Sequence, residues 1–146
     1  MAGECLFCRI VQGQIPSHKI YEDASTFAFL DIRPLTRGHT LVLPKTHAPK
    51  FEDLPPKEAQ ALFSTVHALV PRICQAVGAP ATTIAINNGR ESGQEVPHVH
   101  VHIVPRTRGD PGGPIHALFA TRPLLAENEF PSLAEQIRTA TPPAAR

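Results

Sequence analysis

Apolar positions along this chain switch between two periods. Short β-rich runs at 18–22, 27–32 and 39–43 are separated by Glu22-Asp23-Ala24-Ser25 and Arg33-Pro34-Leu35-Thr36-Arg37-Gly38. That pattern predicts antiparallel strands joined by turns. Ahead of them, Phe7, Ile10, Val11 and Ile15 mark a short helical or turn segment ending near Pro16. Ala59, Leu62, Phe63, Val66, Leu69, Val70, Ile73, Cys74 and Val77 then keep helical spacing, with Pro55-Pro56 at the entrance and Gly78 at the exit. Pro71 lies inside this helix and is expected to kink it, because it removes a backbone donor and crowds the preceding turn. Residues 82–86 read as a further strand, 87–93 as a loop and 96–104 as the last strong strand. Ser132-Leu133-Ala134-Glu135 has the form of a capping box that opens a short final helix before a Pro/Ala-rich tail. Several strands interrupted by one long helix give an α+β architecture rather than repeated βαβ units.

At 146 residues the chain fits one domain. We expect its core at 1–108, with 109–146 as a C-terminal extension of that domain. A net charge of +1 gives no electrostatic case for binding nucleic acid or a membrane surface. No run approaches the ~20 apolar residues of a membrane span, and Met1-Ala2-Gly3-Glu4-Cys5 lacks an export pattern, so a cytoplasmic location is expected. The three cysteines, an odd number, do not form a secreted disulfide scaffold. The eight histidines direct attention to a site.

Most of the chemical information lies in His98-Val99-His100-Val101-His102-Ile103-Val104-Pro105-Arg106. On a strand, His98, His100 and His102 share one face and Val99, Val101 and Ile103 the other. The valine face suits a core, which leaves three imidazoles at a cleft or surface. His98 and His102 would then be about 13 Å apart, too far for one ion to take all three. Imidazole is largely neutral at physiological pH and can act as a nucleophile through a covalent intermediate.

This strand resembles the signature of the histidine triad (HIT) family, His-φ-His-φ-His-φ-φ with φ apolar, and the likeness extends from about Cys5 to Arg106. Phe27-Ala28-Phe29-Leu30-Asp31-Ile32 and Gly38-His39-Thr40-Leu41-Val42-Leu43-Pro44-Lys45 are similar to its nucleoside-binding strands. Gly93-Gln94-Glu95-Val96-Pro97-His98 is similar to its phosphate loop. The resemblance implies a HIT-like antiparallel sheet of about five strands with one long helix and a short C-terminal helix. It implies that His100 attacks the α-phosphorus of a nucleotide and that His102, Gln94 and loop N–H groups donate to phosphoryl oxygens. Asp31 would accept from both ribose hydroxyls. Phe7, Ile10, Phe29 and Ile32 would surround the base, Asn87 and Gly93 would line the phosphate side, and His39 would support the triad from behind. The implied activity is hydrolysis of a nucleoside phosphoramidate or dinucleoside polyphosphate, with a purine nucleotide of adenosine type as substrate and a homodimer as the assembly. A nucleotide-binding regulator with little turnover and a nucleotidyltransferase are the alternatives.

Cys5-x-x-Cys8 is half of a four-ligand zinc site. No thioredoxin-like strand-then-helix pattern surrounds it. The resemblance supplies the other half, because some bacterial members and the related galactose-1-phosphate uridylyltransferases pair two cysteines with a histidine after the Pro-Lys-x strand end and the first triad histidine. These are Cys5, Cys8, His47 and His98 here, a closed and therefore structural Zn²⁺ set. Glu95 stands where some members have Ser or Thr facing the leaving group. It either alters leaving-group preference or faces solvent. His116 is expected in a loop.

Overall fold

A computed structural model describes residues 5–142; the leader reading at residues 1–4 and the end of the Pro/Ala tail at 143–146 lie outside them. The short helix α1 spans Leu6–Val11. Five strands follow the predicted order: β1 (Lys19–Glu22), β2 (Thr26–Leu30), β3 (Thr40–Pro44), β4 (Ala81–Ala85) and β5 (Val101–Arg106). They form one sheet in the order β1-β2-β3-β5-β4, with every neighbouring pair antiparallel. The long helix α2 (Pro56–Val77) connects β3 to β4. The fold is α+β, as the pattern predicts.

Both faces of the sheet are covered at β2 and β3, which are buried along most of their length instead of alternating with solvent. On one face Ala28, Val42, Val101 and Ile103 pack with Leu62, Val66, Leu69 and Ile73 of α2. On the other, Phe27, Phe29, Leu41 and Leu43 pack with Cys5, Phe7, Cys8 and Ile10 of the α1 segment. The two-residue period of β2 and β3 thus supplies two cores at once. The helix α2 continues through Pro71, which lies on its exposed side, so the proline does not end it. Phe63 and Cys74 lie at the edge of the predicted stripe rather than in the core; Phe63 is 44% exposed and meets Phe51 edge-on. Thr65 is buried instead, its hydroxyl 2.9 Å from that of Thr26.

The strand expected from residue 96 begins only at Val101. Pro97 removes a ladder donor, and the segment before β5 leaves the sheet: Val99 N–H donates to the Ala48 carbonyl at 2.8 Å. His98 therefore does not share an open face with His100 and His102. It turns into the interior and is wholly buried.

Gly38, just before β3, has φ +87°, and a Cβ there would stand 2.8 Å from Val77 Cγ1. Left-handed backbone and a filled neighbourhood both oppose a side chain. Gly38→Ala is expected to lower stability by about 1–3 kcal/mol, read as a lower urea midpoint with an unchanged m-value.

The chain divides into two compact units after Asp110. The second carries α3 (Glu129–Thr139), which starts one turn before the predicted capping box. Glu129, not Ser132, turns back on the preceding chain, its carboxylate accepting from Ala126 N–H at 2.7 Å. Every described residue from 111 onward is exposed, His116 among them in a single 3-10 turn. Among the described residues, no helix is long and apolar enough to cross a membrane.

Candidate active site

A cleft of about 470 Å³ opens on the α1 side of the sheet. Phe7 and Ile10 from α1, Phe29 from β2 and Leu41 from β3 give it an apolar wall, and Ile32 stands exposed at its edge. Asp31, His39, Asn87, Gly93, His100 and His102 are among its polar groups. All but one of the predicted nucleotide-site residues thus line a single space. The exception is Gln94. Its side-chain oxygen accepts from Gly89 N–H at 2.8 Å, and its amide nitrogen donates to the carbonyls of Pro49 and Val96 at 2.7 and 3.0 Å. In this structure Gln94 braces the loop that it was expected to project from.

The hydrogen bonds determine the tautomers of the imidazoles. His100 Nδ1 lies 2.7 Å from the His98 carbonyl, which can only accept, so Nδ1 carries the proton and Nε2 keeps a free lone pair. Burial holds His100 below the usual histidine range, and therefore neutral, and Phe7 packs edge-on against its ring at 5.0 Å. Behind it, Leu35 N–H donates to His39 Nδ1 at 3.1 Å. Neutral His39 must then carry its proton on Nε2, which points at His102 Nδ1 at 2.9 Å. His102 in turn holds its proton on Nε2, a buried atom with no protein partner among the described residues. Burial, together with the neighbouring His100 and His39, pushes His102 down to about 4. A backbone N–H on the loop after β2 thereby orients a donor on β5. The ligand atoms of Asp31, His39 and His102 lie within 4.8 Å of one another, and this hydrogen-bond chain accounts for the two imidazoles' close approach. Asp31 Oδ1 accepts from Arg33 N–H at 2.8 Å, and Oδ2 sits 3.7 Å from His39 Nδ1.

On the far side of the triad segment, the ligand atoms of Cys5, Cys8, His47 and His98 also converge within 4.8 Å. His98 Nε2–H donates to the Pro44 carbonyl at 2.8 Å, which leaves Nδ1 unprotonated and 3.5 Å from both Cys5 and Cys8 Sγ. His47 Nδ1 is 3.4 Å from Cys8 Sγ. A zinc tetrahedron with Zn–S near 2.3 Å and Zn–N near 2.05 Å has N···S edges of about 3.5 Å. Burial and the adjacent Cys5 push the Cys8 thiol up to about 11, so a thiolate here requires a cation beside it. The donor set fits zinc, and with four protein ligands it fits a structural ion.

The HIT domain pattern matches residues 12–109. This chain belongs to the HIT family. It is 38% identical over 133 residues to the adenosine 5'-monophosphoramidase of Schizosaccharomyces pombe, covering 91% of this chain and 95% of that one. A HIT protein structure from Bacillus subtilis superposes with a TM-score of 0.84 at 32% identity, covering 97% of this chain and 99% of that one. A zinc-bound histidine triad protein from Mycobacterium smegmatis superposes with a TM-score of 0.72 at 41% identity, covering 76% of this chain and 81% of that one. The HIT match begins after Cys5 and Cys8, so the Cys/His cluster joins residues from outside it to His47 and His98 within.

Some of this HIT site was not read from sequence. Leu6, Ile15, Pro16, Ser17, Leu35, Leu41 and Val96 also line the cleft. Leu41 was detectable, being two residues from His39 on the same strand face. Arg33 and Glu95 meet at the cleft, with Arg33 Nη2 3.4 Å from Glu95 Oε2. No local signal links two residues 62 positions apart.

Proposed function

We propose that this HIT protein hydrolyses adenosine-type nucleotides at the α-phosphorus through a covalent nucleotidyl-histidine on His100. The observation that carries this reading is the 2.7 Å bond from His100 Nδ1–H to the His98 carbonyl, which leaves Nε2 as a neutral nucleophile on the wall of a nucleoside-sized cleft. The similarity to an adenosine 5'-monophosphoramidase makes a P–N bond the favoured target. In a phosphoramidate protonated on nitrogen by solvent, the Nε2 lone pair forms a bond to phosphorus while the P–N bond breaks. Its electron pair leaves with the neutral amine. Water then attacks phosphorus, the P–Nε2 pair returns to His100, and the proton that water loses goes to solvent. His102 Nε2–H donates to a phosphoryl oxygen throughout, stabilising charge with a donor already in place. The free oxygen Oδ2 of Asp31 accepts from the ribose hydroxyls, and Phe7, Ile10, Phe29 and Ile32 enclose the base.

We further assign Cys5, Cys8, His47 and His98 to a zinc ion. When bound, the ion supplies cross-linking: it ties the start of α1 and the loop after β3 to the segment that carries His100.

The test is trapping. Rapid acid-free quench of the protein with adenosine phosphoramidate labelled at phosphorus is expected to leave label on a peptide containing His100, with chase by water releasing adenosine monophosphate. Turnover with no label on any histidine overturns the covalent route. Label released only to an added acceptor overturns hydrolysis in favour of transfer, and binding without turnover leaves a nucleotide-binding protein.

A further inference from the structure

The charges around the cleft carry an inference about the leaving group, which rests on the reading just given. His100 lies on the buried side of the cleft, and in-line displacement sends the leaving group away from it toward the open rim. That rim carries Arg33 and Glu95, whose side chains are 84% and 81% exposed and 3.4 Å apart. Arg33 follows Asp31 by two residues and is fixed to it through its backbone N–H, whereas Glu95 belongs to the loop entering the triad. Among the described residues lining the cleft, the charged groups are two carboxylates, Asp31 and Glu95, against one guanidinium, and Glu95 already engages that guanidinium.

Phosphoryl-transfer sites that accept phosphate-rich leaving groups gather cations around them. This rim does the reverse. An exposed ion pair such as Arg33–Glu95 is held weakly, so an incoming ammonium can take Arg33's place on the carboxylate. A leaving phosphate, sulfate or carboxylate meets the charge of Glu95 instead. We propose that Glu95 is a specificity-determining residue that selects phosphoramidates whose leaving amine carries a second, cationic group and disfavours anionic leaving groups, with Arg33 competing for its carboxylate at the rim.

The experiment compares kcat/KM for three adenosine 5'-phosphoramidates of similar size, made from 1,2-diaminoethane, propylamine and glycine, so that the distal group is an ammonium, a methyl or a carboxylate. Wild-type protein, Glu95→Gln, Glu95→Lys and Arg33→Gln are each assayed. Dividing each variant's substrate ratios by those of the wild type cancels the intrinsic reactivity of the amines. Glu95→Gln is expected to reduce the ammonium-over-carboxylate preference by about tenfold, Glu95→Lys by more, and Arg33→Gln is expected to increase it. These differences should shrink between ~0.02 and ~0.5 M salt, as charge selection requires and a packing defect does not. An unchanged preference in Glu95→Gln, with the propylamine compound still hydrolysed by wild type, overturns this proposal and leaves the hydrolase reading intact. Failure of wild type to hydrolyse any of the three overturns both.

Discussion

Replacing His100 with asparagine is expected to reduce kcat by at least ~10⁴-fold while changing the affinity for adenosine monophosphate by no more than about threefold. The expected size follows from what the substitution removes. In water, attack on an α-phosphorus lacks a positioned nucleophile, and a covalent route replaces one difficult displacement with two easier ones. The lost rate corresponds to more than about 5 kcal/mol of transition-state stabilisation. Asparagine retains an N–H donor close enough for the His98 carbonyl, so the acceptor now 2.7 Å from Nδ1 is not left unpaired. It also retains much of the ring's volume beneath Phe7, whose ring centroid stands 5.0 Å from that of His100. A stopped assay with adenosine phosphoramidate, paired with calorimetric binding of adenosine monophosphate, separates the two effects. Residual turnover within tenfold of wild type would show that His100 is not the nucleophile. A parallel loss of nucleotide binding would make it a pocket residue only.

The α+β architecture was legible in the sequence because it rests on local periodicity, whereas the cleft residues were named through the resemblance of their motifs to the HIT family. Alternation along β2 and β3 sorts Phe29 and Leu41 from Ala28 and Val42, and helical spacing places Leu62, Val66, Leu69 and Ile73 on one face of α2. Departures arose where a distant backbone group decides the outcome. Pro97 cannot donate to a ladder, the strand begins only at Val101, and the carbonyls of Pro44 and Ala48 capture the segment between them. Gln94 follows a loop motif by sequence, yet its three hydrogen bonds bind it to Gly89, Pro49 and Val96. The proton on His102 depends on Leu35 N–H, which reaches it through His39. None of these partners shares a repeating position with the residue it controls. The final helix was placed late because a Ser-x-x-Glu pattern inside it resembled a start, while Glu129 supplied the reach-back one turn earlier.

Removing zinc is expected to lower the melting temperature by about 10–20 °C and to weaken nucleotide binding before chemistry is touched. Structural zinc sites contribute free energy on the order of 10 kcal/mol, part of which opposes the cost of assembling the ligands. A net loss of about 4–5 kcal/mol in a chain of this length corresponds to that thermal shift. The ligands explain where the damage should fall. Cys5 and Cys8 flank Phe7, and Ile10 is one turn further along α1, so an ion held there would anchor the helix that forms the apolar wall of the cleft. His98 passes the same constraint to the His98 carbonyl that orients His100. Without a cation the Cys8 thiol stays protonated, and only long S–H···N contacts of 3.5 Å to His98 Nδ1 hold the buried cysteines and imidazole together in place of metal bonds. Purified protein should therefore contain one zinc per chain by elemental analysis, and Cys8→Ser should lose it. Cys74→Ser is the control, because Cys74 lies half-buried on α2 away from the cluster and should keep both the metal and the melting temperature. In the chelated protein or in Cys8→Ser, KM for adenosine phosphoramidate should rise while the nucleotidyl-histidine can still be trapped at saturating substrate. If metal-free wild-type protein melts at the same temperature as zinc-loaded protein, the four residues are only neighbouring side chains. If kcat falls to the level of His100→Asn with KM unchanged, the ion belongs to the chemistry rather than to the fold.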